Sequence, residues 1–159
     1  DAELSLQPAE VHDILELLTN WSTVFKERHG LQSLSFTGPK RPVRAAIHTT
    51  RIIQILDNLI ANAMTFHKGD EPIEVELKRE KGFVVICIAD CGKGLPEGKE
   101  EKIFQRFYTE RPADEGFGQH SGLGLSIARQ IANAHGGSLT AANRPEGGAV
   151  FTLRLPLAR

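Results

Sequence analysis

The chain has 159 residues, a formal net charge of −1, 40% hydrophobic residues and 25% charged ones. That is long enough for one domain with its own core, and the composition is that of an ordinary soluble globular protein. The near-neutral charge gives no basic field for nucleic acid, and no apolar stretch reaches the roughly 18–20 residues of a membrane span.

The chain opens with ELSLQ (3–7), which alternates and predicts a short edge strand. Pro8 is expected to open a helix in which Val11, Ile14, Leu15, Leu18 and Trp21 recur at helical spacing, up to about His29-Gly30. Strands are expected at LQSLSF (31–36) and VRAAIHT (43–49), with a second helix from about Thr50 to Phe66. IEVELKRE (73–80) and FVVICIA (83–89) form a tight hairpin around Lys81-Gly82. From Leu95 to Ser121 the pattern loosens around one short amphipathic piece, KIFQRF. Such long loops are often lids. A third helix is expected from near Gly122 to His135, stopped by Gly136-Gly137, before a final hairpin of SLTAAN and AVFTLRL.

Three features carry chemistry. On a helical wheel of about 100° per residue, Ile52, Ile53, Leu56, Leu59, Ile60 and Ala63 share the arc expected to face the sheet. Asn58, Asn62 and Thr65 fall opposite, with Phe66 on the border. Paired asparagines are poor helix formers, but their carboxamides can ligate magnesium or donate to phosphate, and Phe66 can stack on a base. The second feature is ADCGKGLP (89–96), where an apolar strand ends in the carboxylate of Asp90, followed by Gly92 and Gly94. Either a turn or a close approach to a ligand explains it. The third is the start of the last helix, where Gly122 and Gly124 leave backbone N–H groups at the positive end of the helix dipole, an anion site. It has neither the phosphate-loop pattern GxxxxGK[ST] nor a βαβ dinucleotide context. Cys87 and Cys91 lack the spacing of a zinc site.

Four blocks in order, LDNLIANAMTF, DCGKGLP, IFQRFY and SGLGLSIARQIANAHGG, resemble the N, G1, F and G2 boxes of the GHKL superfamily. Their order resembles the catalytic, ATP-binding domain of bacterial sensor histidine kinases, over nearly the whole chain, and FYTERP with FGQHSGLGLSI looks most like the ChvG type. The resemblance implies an α+β fold, a two-layer α/β sandwich of the Bergerat type. One domain over 1–159 would hold a mixed sheet of about five strands plus an edge hairpin strand, with three main helices on one face and an ATP lid at about 95–121. It implies that Asp90 accepts from the adenine amino group while Gly92, Gly94 and Leu95 close on the base, with Phe66 against it. Asn62 would hold Mg²⁺ and Asn58 would lie near the phosphates. Tyr108 and Ser121 belong to the site by the same matching, and Gly122, Leu123, Gly124 and Leu125 would bind the triphosphate through main-chain N–H groups.

ATPases of the superfamily carry Glu where this chain has Asn58, which cannot act as a base. Phosphoryl transfer is therefore favoured over hydrolysis. Two family cations are replaced by Thr65 and Thr109, and Arg111 ranks first as a substitute, before Arg106, Lys68 and His120. The acceptor motif H-E-x-x-P-L is missing after all six histidines, His12 included. The resemblance thus implies transfer from ATP-Mg to a histidine on a separate dimerising helical hairpin, for relay to a response regulator. The chain is expected to be a monomeric cytoplasmic part of a longer membrane-anchored sensor, unable to phosphorylate itself. A degenerate nucleotide-binding regulatory module is the alternative. Ile103, Phe104 and Phe107 either pack in the core, anchor the lid or dock on the hairpin.

Overall fold

Residues Glu10–Asp13 form a strand (β1), where the sequence predicts the first helix. In the computed structural model, which describes residues 8–106 and 124–158, β1 pairs antiparallel with β3 (Arg44–Ile47) as a small two-stranded sheet. The expected strand at 3–7 lies outside the described residues. Asp13 explains the shift of the helix start. Its Oδ1 accepts from the Leu15 amide at 3.0 Å and from the Val43 amide at 3.3 Å, so the residue caps a helix and ties it to the residue just before β3. Helix α1 therefore spans Ile14–His29. His12 lies in a strand, and Val11, expected on the packing face of the helix, is 56% exposed. At the other end Gly30, at φ 102°, donates to the Lys26 carbonyl and stops the helix as expected.

Strand β2 is shorter than the sequence suggests, Leu34–Thr37, because Ser33 turns back onto the Gly30 carbonyl through both its amide and its hydroxyl. Helix α2 (Thr49–Phe66), strands β4 (Ile73–Glu80) and β5 (Phe83–Ala89), helix α3 (Gly124–Ala134) and strands β6 (Ser138–Asn143) and β7 (Ala149–Pro156) follow where the periodicity places them. Lys81 at φ 44° and Gly82 at φ 85° make the tight β4–β5 turn that matches strand twist.

The main sheet runs β2-β4-β5-β7-β6, with β2 parallel to β4 and every other pair antiparallel. Register aligns one buried face across the central strands, and β5 buries Val85 on its other face as well. Val75, Ile88 and Phe151 lie side by side, as do Leu77, Ile86 and Leu153. With Ile52, Ile55, Leu56 and Leu59 of α2, Ile14 and Leu18 of α1, and Ala128 and Ile131 of α3, they form one core. Two layers result, three helices over a mixed sheet. Ile103 and Phe104 belong to that core. They form a single 3₁₀ turn, Lys102–Phe104, inside the segment expected to be a lid, and they are 4% and 5% exposed. Packing wins over docking for these two, and Phe107 lies outside the described residues. No helix among the described residues is long and apolar enough to cross a membrane.

Candidate functional site

The carboxamide face of α2 is not a solvent face. Asn62 is 6% exposed, and Asn58 donates through Nδ2 to the Gly124 carbonyl at 3.1 Å. The wheel marks only the side that faces the sheet, whereas α3 packs alongside α2 on its asparagine-bearing flank and brings its first residue onto Asn58. The same geometry buries Ile55, absent from the predicted arc, and leaves Ile53 only partly covered. Thr65 turns its hydroxyl back to the Ala61 carbonyl at 3.0 Å, so it adds nothing cationic to this flank. The half-buried Phe66 ends the helix, with the Lys93 ammonium 5.4 Å from its ring centroid.

The loop after β5 runs against the main chain at that helix end. Asp90 is 2% exposed, and its Oδ1 accepts from the Gly92 amide at 2.8 Å and the Ala149 amide at 3.4 Å. Among the described residues both of these bonds fall on the same oxygen. A buried carboxylate so held is a fixed acceptor for a donor on a ligand.

The two glycines of this loop have duties inside the protein. A Cβ on Gly92 would stand 2.1 Å from the Phe66 carbonyl oxygen. One on Gly94, at φ +81°, would stand 2.5 Å from Asn143 Oδ1. Their spacing thus answers to the end of α2 on one side and the end of β6 on the other.

Several contacts here have no counterpart in the sequence reading. His67 accepts from the Cys91 amide through Nδ1 at 3.0 Å, joining the end of α2 to the loop. Asn143 accepts from the Leu95 amide at 2.6 Å and donates to the Leu95 carbonyl at 3.2 Å. Arg144 donates to the Asp90 carbonyl at 2.9 Å and pairs with Glu74 at 3.1 Å. Burial opposes the Arg144 charge, yet Glu74, the Cys91 sulfur and Glu146 hold its pKa above the ordinary value. A Cβ on Gly148 would lie 2.0 Å from the Asp90 carbonyl oxygen. The signal available was the polar stretch NRPEGG, which reads only as a turn.

At the far side of the site, Arg129 of α3 lies over the Phe104 ring at 4.4 Å and bonds Glu101 at 2.9 Å, holding the 3₁₀ turn against the helix. Leu125 packs partly buried on the core. Tyr108, Arg111, Ser121, Gly122 and Leu123 lie outside the described residues, as do Thr109 and His120. Lys68 and Arg106 are exposed. The structure therefore gathers Asn58, Asn62 and Gly124 on one flank, and Phe66, Asp90, Gly92, Gly94 and Leu95 on the other. No group of three or more His, Cys, Asp or Glu residues able to hold a metal ion occurs among the described residues.

Residues 47–159 match the sequence pattern described as Histidine kinase-, DNA gyrase B-, and HSP90-like ATPase. Sensor protein ChvG of Agrobacterium fabrum is 51% identical over 117 residues, covering 70% of this chain and 20% of that protein. Signal transduction histidine-protein kinase AfsQ2 of Streptomyces coelicolor is 48% identical over 120 residues, covering 74% of this chain and 21% of that protein. The chain thus spans about a fifth of the length of these two relatives. Among solved structures, the catalytic domain of histidine kinase ThkA superposes with a TM-score of 0.79 at 29% identity, covering 94% of this chain and 96% of that one. The ATP binding domain of PrrB from Mycobacterium tuberculosis gives a TM-score of 0.74 at 27% identity, covering 95% and 98%.

Proposed function

Since this chain belongs to the histidine kinase-, DNA gyrase B-, and HSP90-like ATPase family, we propose that it is the single-domain ATP-binding unit of a sensor histidine kinase. It hands the γ-phosphate of ATP to a histidine on a separate helical hairpin of the same kinase. The observation that carries this reading is the buried Asp90 carboxylate, fixed by the Gly92 and Ala149 amides beside Phe66.

In this reading Asp90 accepts the exocyclic amino hydrogen of adenine through Oδ2, and Phe66 covers the ring face. Guanine, with a carbonyl at that place, would leave two acceptors facing each other. Leu95 and the loop main chain border the base. The carboxamides of Asn58 and Asn62 face the phosphates, and the amides from Ser121 to Leu125 receive the triphosphate at the start of α3. Asn58 cannot accept a proton at neutral pH, so water is not activated and the γ-phosphate is kept for the acceptor imidazole. The protein's contribution is placement and charge stabilisation.

The donor set also suits a magnesium ion. With no carboxylate or imidazole cluster among the described residues, an ion here would be held by the Asn62 carboxamide, phosphate oxygens and water, the hard, incomplete protein shell that magnesium accepts. Bound with the nucleotide, it would neutralise charge on the triphosphate. Arg111 and Tyr108 complete the site from the lid in this proposal. The relay then passes from the hairpin to a response regulator, with this domain on the cytoplasmic side of a membrane-anchored sensor.

One observation favours a second reading, a nucleotide-binding regulatory module without efficient transfer. The Thr65 hydroxyl is committed to its own helix, leaving no cation where the family pattern places one. Calorimetric titration with a non-hydrolysable ATP analogue and Mg²⁺, beside Asp90→Asn, tests the nucleotide site. Micromolar binding by the parent that the variant loses is expected. A parent that binds no adenine nucleotide rejects both readings. Mixing the domain with the purified hairpin and ATP separates them, because only the kinase yields phosphohistidine.

A further inference from the structure

We propose that Asn143 and Arg144 are positioning residues for base recognition: two consecutive residues at the end of β6 clamp both ends of the loop that presents Asp90. The inference rests on the nucleotide reading above and goes beyond it, since neither residue belongs to the four family blocks.

Consider first what the loop lacks. Residues 90–95 follow the last rung of β5 and contain two glycines in six positions. Such a segment has no intrinsic preference for one conformation. The bond from a carboxylate to an amino group is directional, weakening steeply as its angle opens. A site that discriminates one base must therefore fix this loop from outside.

Asn143 does so at the far end. It is the last residue of β6 and pairs with Ala149. Its carboxamide exchanges two hydrogen bonds with the Leu95 main chain, Leu95 amide to Oδ1 at 2.6 Å and Nδ2 to the Leu95 carbonyl at 3.2 Å. The side chain thus offers Leu95 the donor and acceptor pair that a neighbouring strand would. Gly94 makes room for it, as the 2.5 Å separation of a Cβ there from Oδ1 shows.

Arg144 acts at the near end. Its side chain is 13% exposed, with one nitrogen donating to the Asp90 carbonyl at 2.9 Å and lying 3.6 Å from the Cys91 sulfur. The other nitrogens meet Glu74 at 3.1 Å and Glu146 at 3.6 Å, so the guanidinium is itself held on two sides. A group anchored by strand β4 and aimed at the Asp90 carbonyl sets the plane of the 90–91 peptide, and with it the direction of the carboxylate. Gly148, whose backbone lies against the same carbonyl, completes the seat. An arginine serving only as a surface charge needs none of this main-chain contact.

The test measures ADP and GDP affinities in the presence of Mg²⁺ by calorimetry, with melting temperatures and amide exchange at Gly92 and Leu95. Asn143→Ala and Arg144→Ala are expected to weaken ADP about tenfold each, the worth of one good hydrogen bond. GDP affinity should change little, so discrimination between the bases narrows, and amide exchange quickens. Asn143→Asp, which keeps the acceptor for the Leu95 amide, and Arg144→Lys should recover part of the ADP affinity and serve if an alanine variant does not fold. Parent-like ADP affinity in variants whose melting temperature alone has fallen overturns the clamp. A parent that does not bind ADP overturns the functional reading instead.

Discussion

Replacing Gly92 by alanine would put a methyl carbon 2.1 Å from the Phe66 carbonyl oxygen, 2.8 Å from its carbon and 3.1 Å from Asp90 Oδ1. Real Cβ contacts essentially stop at 3.0 Å, and the opposing atoms are the main chain of a helix end, which cannot swing aside. The loop must therefore retreat by roughly an ångström. The Gly92 amide that holds Asp90 Oδ1 retreats with it. Misplacing a hydrogen bond to a charged group by that distance forfeits about 1.5–3 kcal/mol, or roughly a 10- to 100-fold loss of ADP affinity. Gly82→Ala, in the β4–β5 turn, is the control. It sits at φ +85° with nothing within 4 Å of its Cβ. Its cost is backbone strain of about 1–2 kcal/mol, read as a lower melting temperature with ADP affinity unchanged. Calorimetry and thermal melts on the two variants separate these effects. A Gly92→Ala protein that binds ADP as the parent does would refute the link between the loop's approach to α2 and the site.

Phe104→Ala should cost about 3–5 kcal/mol in urea denaturation, because the ring is 5% exposed and packed against Phe151 and Arg129. A loss below about 1 kcal/mol would mean that the 3₁₀ turn is not part of the core. His135 has its pKa lowered by burial, partly offset by its bond to the Ile131 carbonyl, and lowered further by His48. The folded state therefore binds fewer protons than the unfolded one, and stability should fall as pH drops from the ordinary imidazole value of 6.5 towards the lowered one. Urea melts across that window should show a shallower slope in His135→Gln, and equal slopes would refute the assignment. Thr65→Lys should raise phosphohistidine yield on the order of tenfold when the domain is mixed with its hairpin. An unchanged yield would place the missing cation elsewhere.

Elements with one clear period were legible in the sequence. The hairpin 73–89 carries an alternating strand, a Lys-Gly turn and a short apolar run, and the structure returns both strands with the same ends. The first helix misled because EVHD fits a helical stripe as well as a strand, and only the distant partner strand Arg44–Ile47 decides between them. The paired asparagines of α2 stood out in the sequence as poor helix formers, and the structure buries Asn62 and gives Asn58 the Gly124 carbonyl as a partner. The site was not legible where ordinary turn residues act through tertiary contact, since nothing local to Asn143 or Arg144 announces a partner 48 or 54 residues earlier. The glycines show the same limit. Their spacing looks like an accommodation to ligand, and geometry gives each a neighbour within the chain.

The central place of β5 between β4 and β7 has a consequence for the order in which the molecule can be made. On a ribosome adding about 5–20 residues per second, β5 waits seconds for β7, which begins about 60 residues later. During that interval its hairpin with β4 can close, but its other edge stays open, flanked by Val84, Val85, Ile86 and Ile88, all buried in the finished fold. An open apolar edge is a template for pairing with a neighbouring nascent chain. Asp90 waits as well, since its amide and its carboxylate both meet Ala149, the first residue of β7. Chains truncated before that strand should therefore be both prone to aggregate and blind to nucleotide.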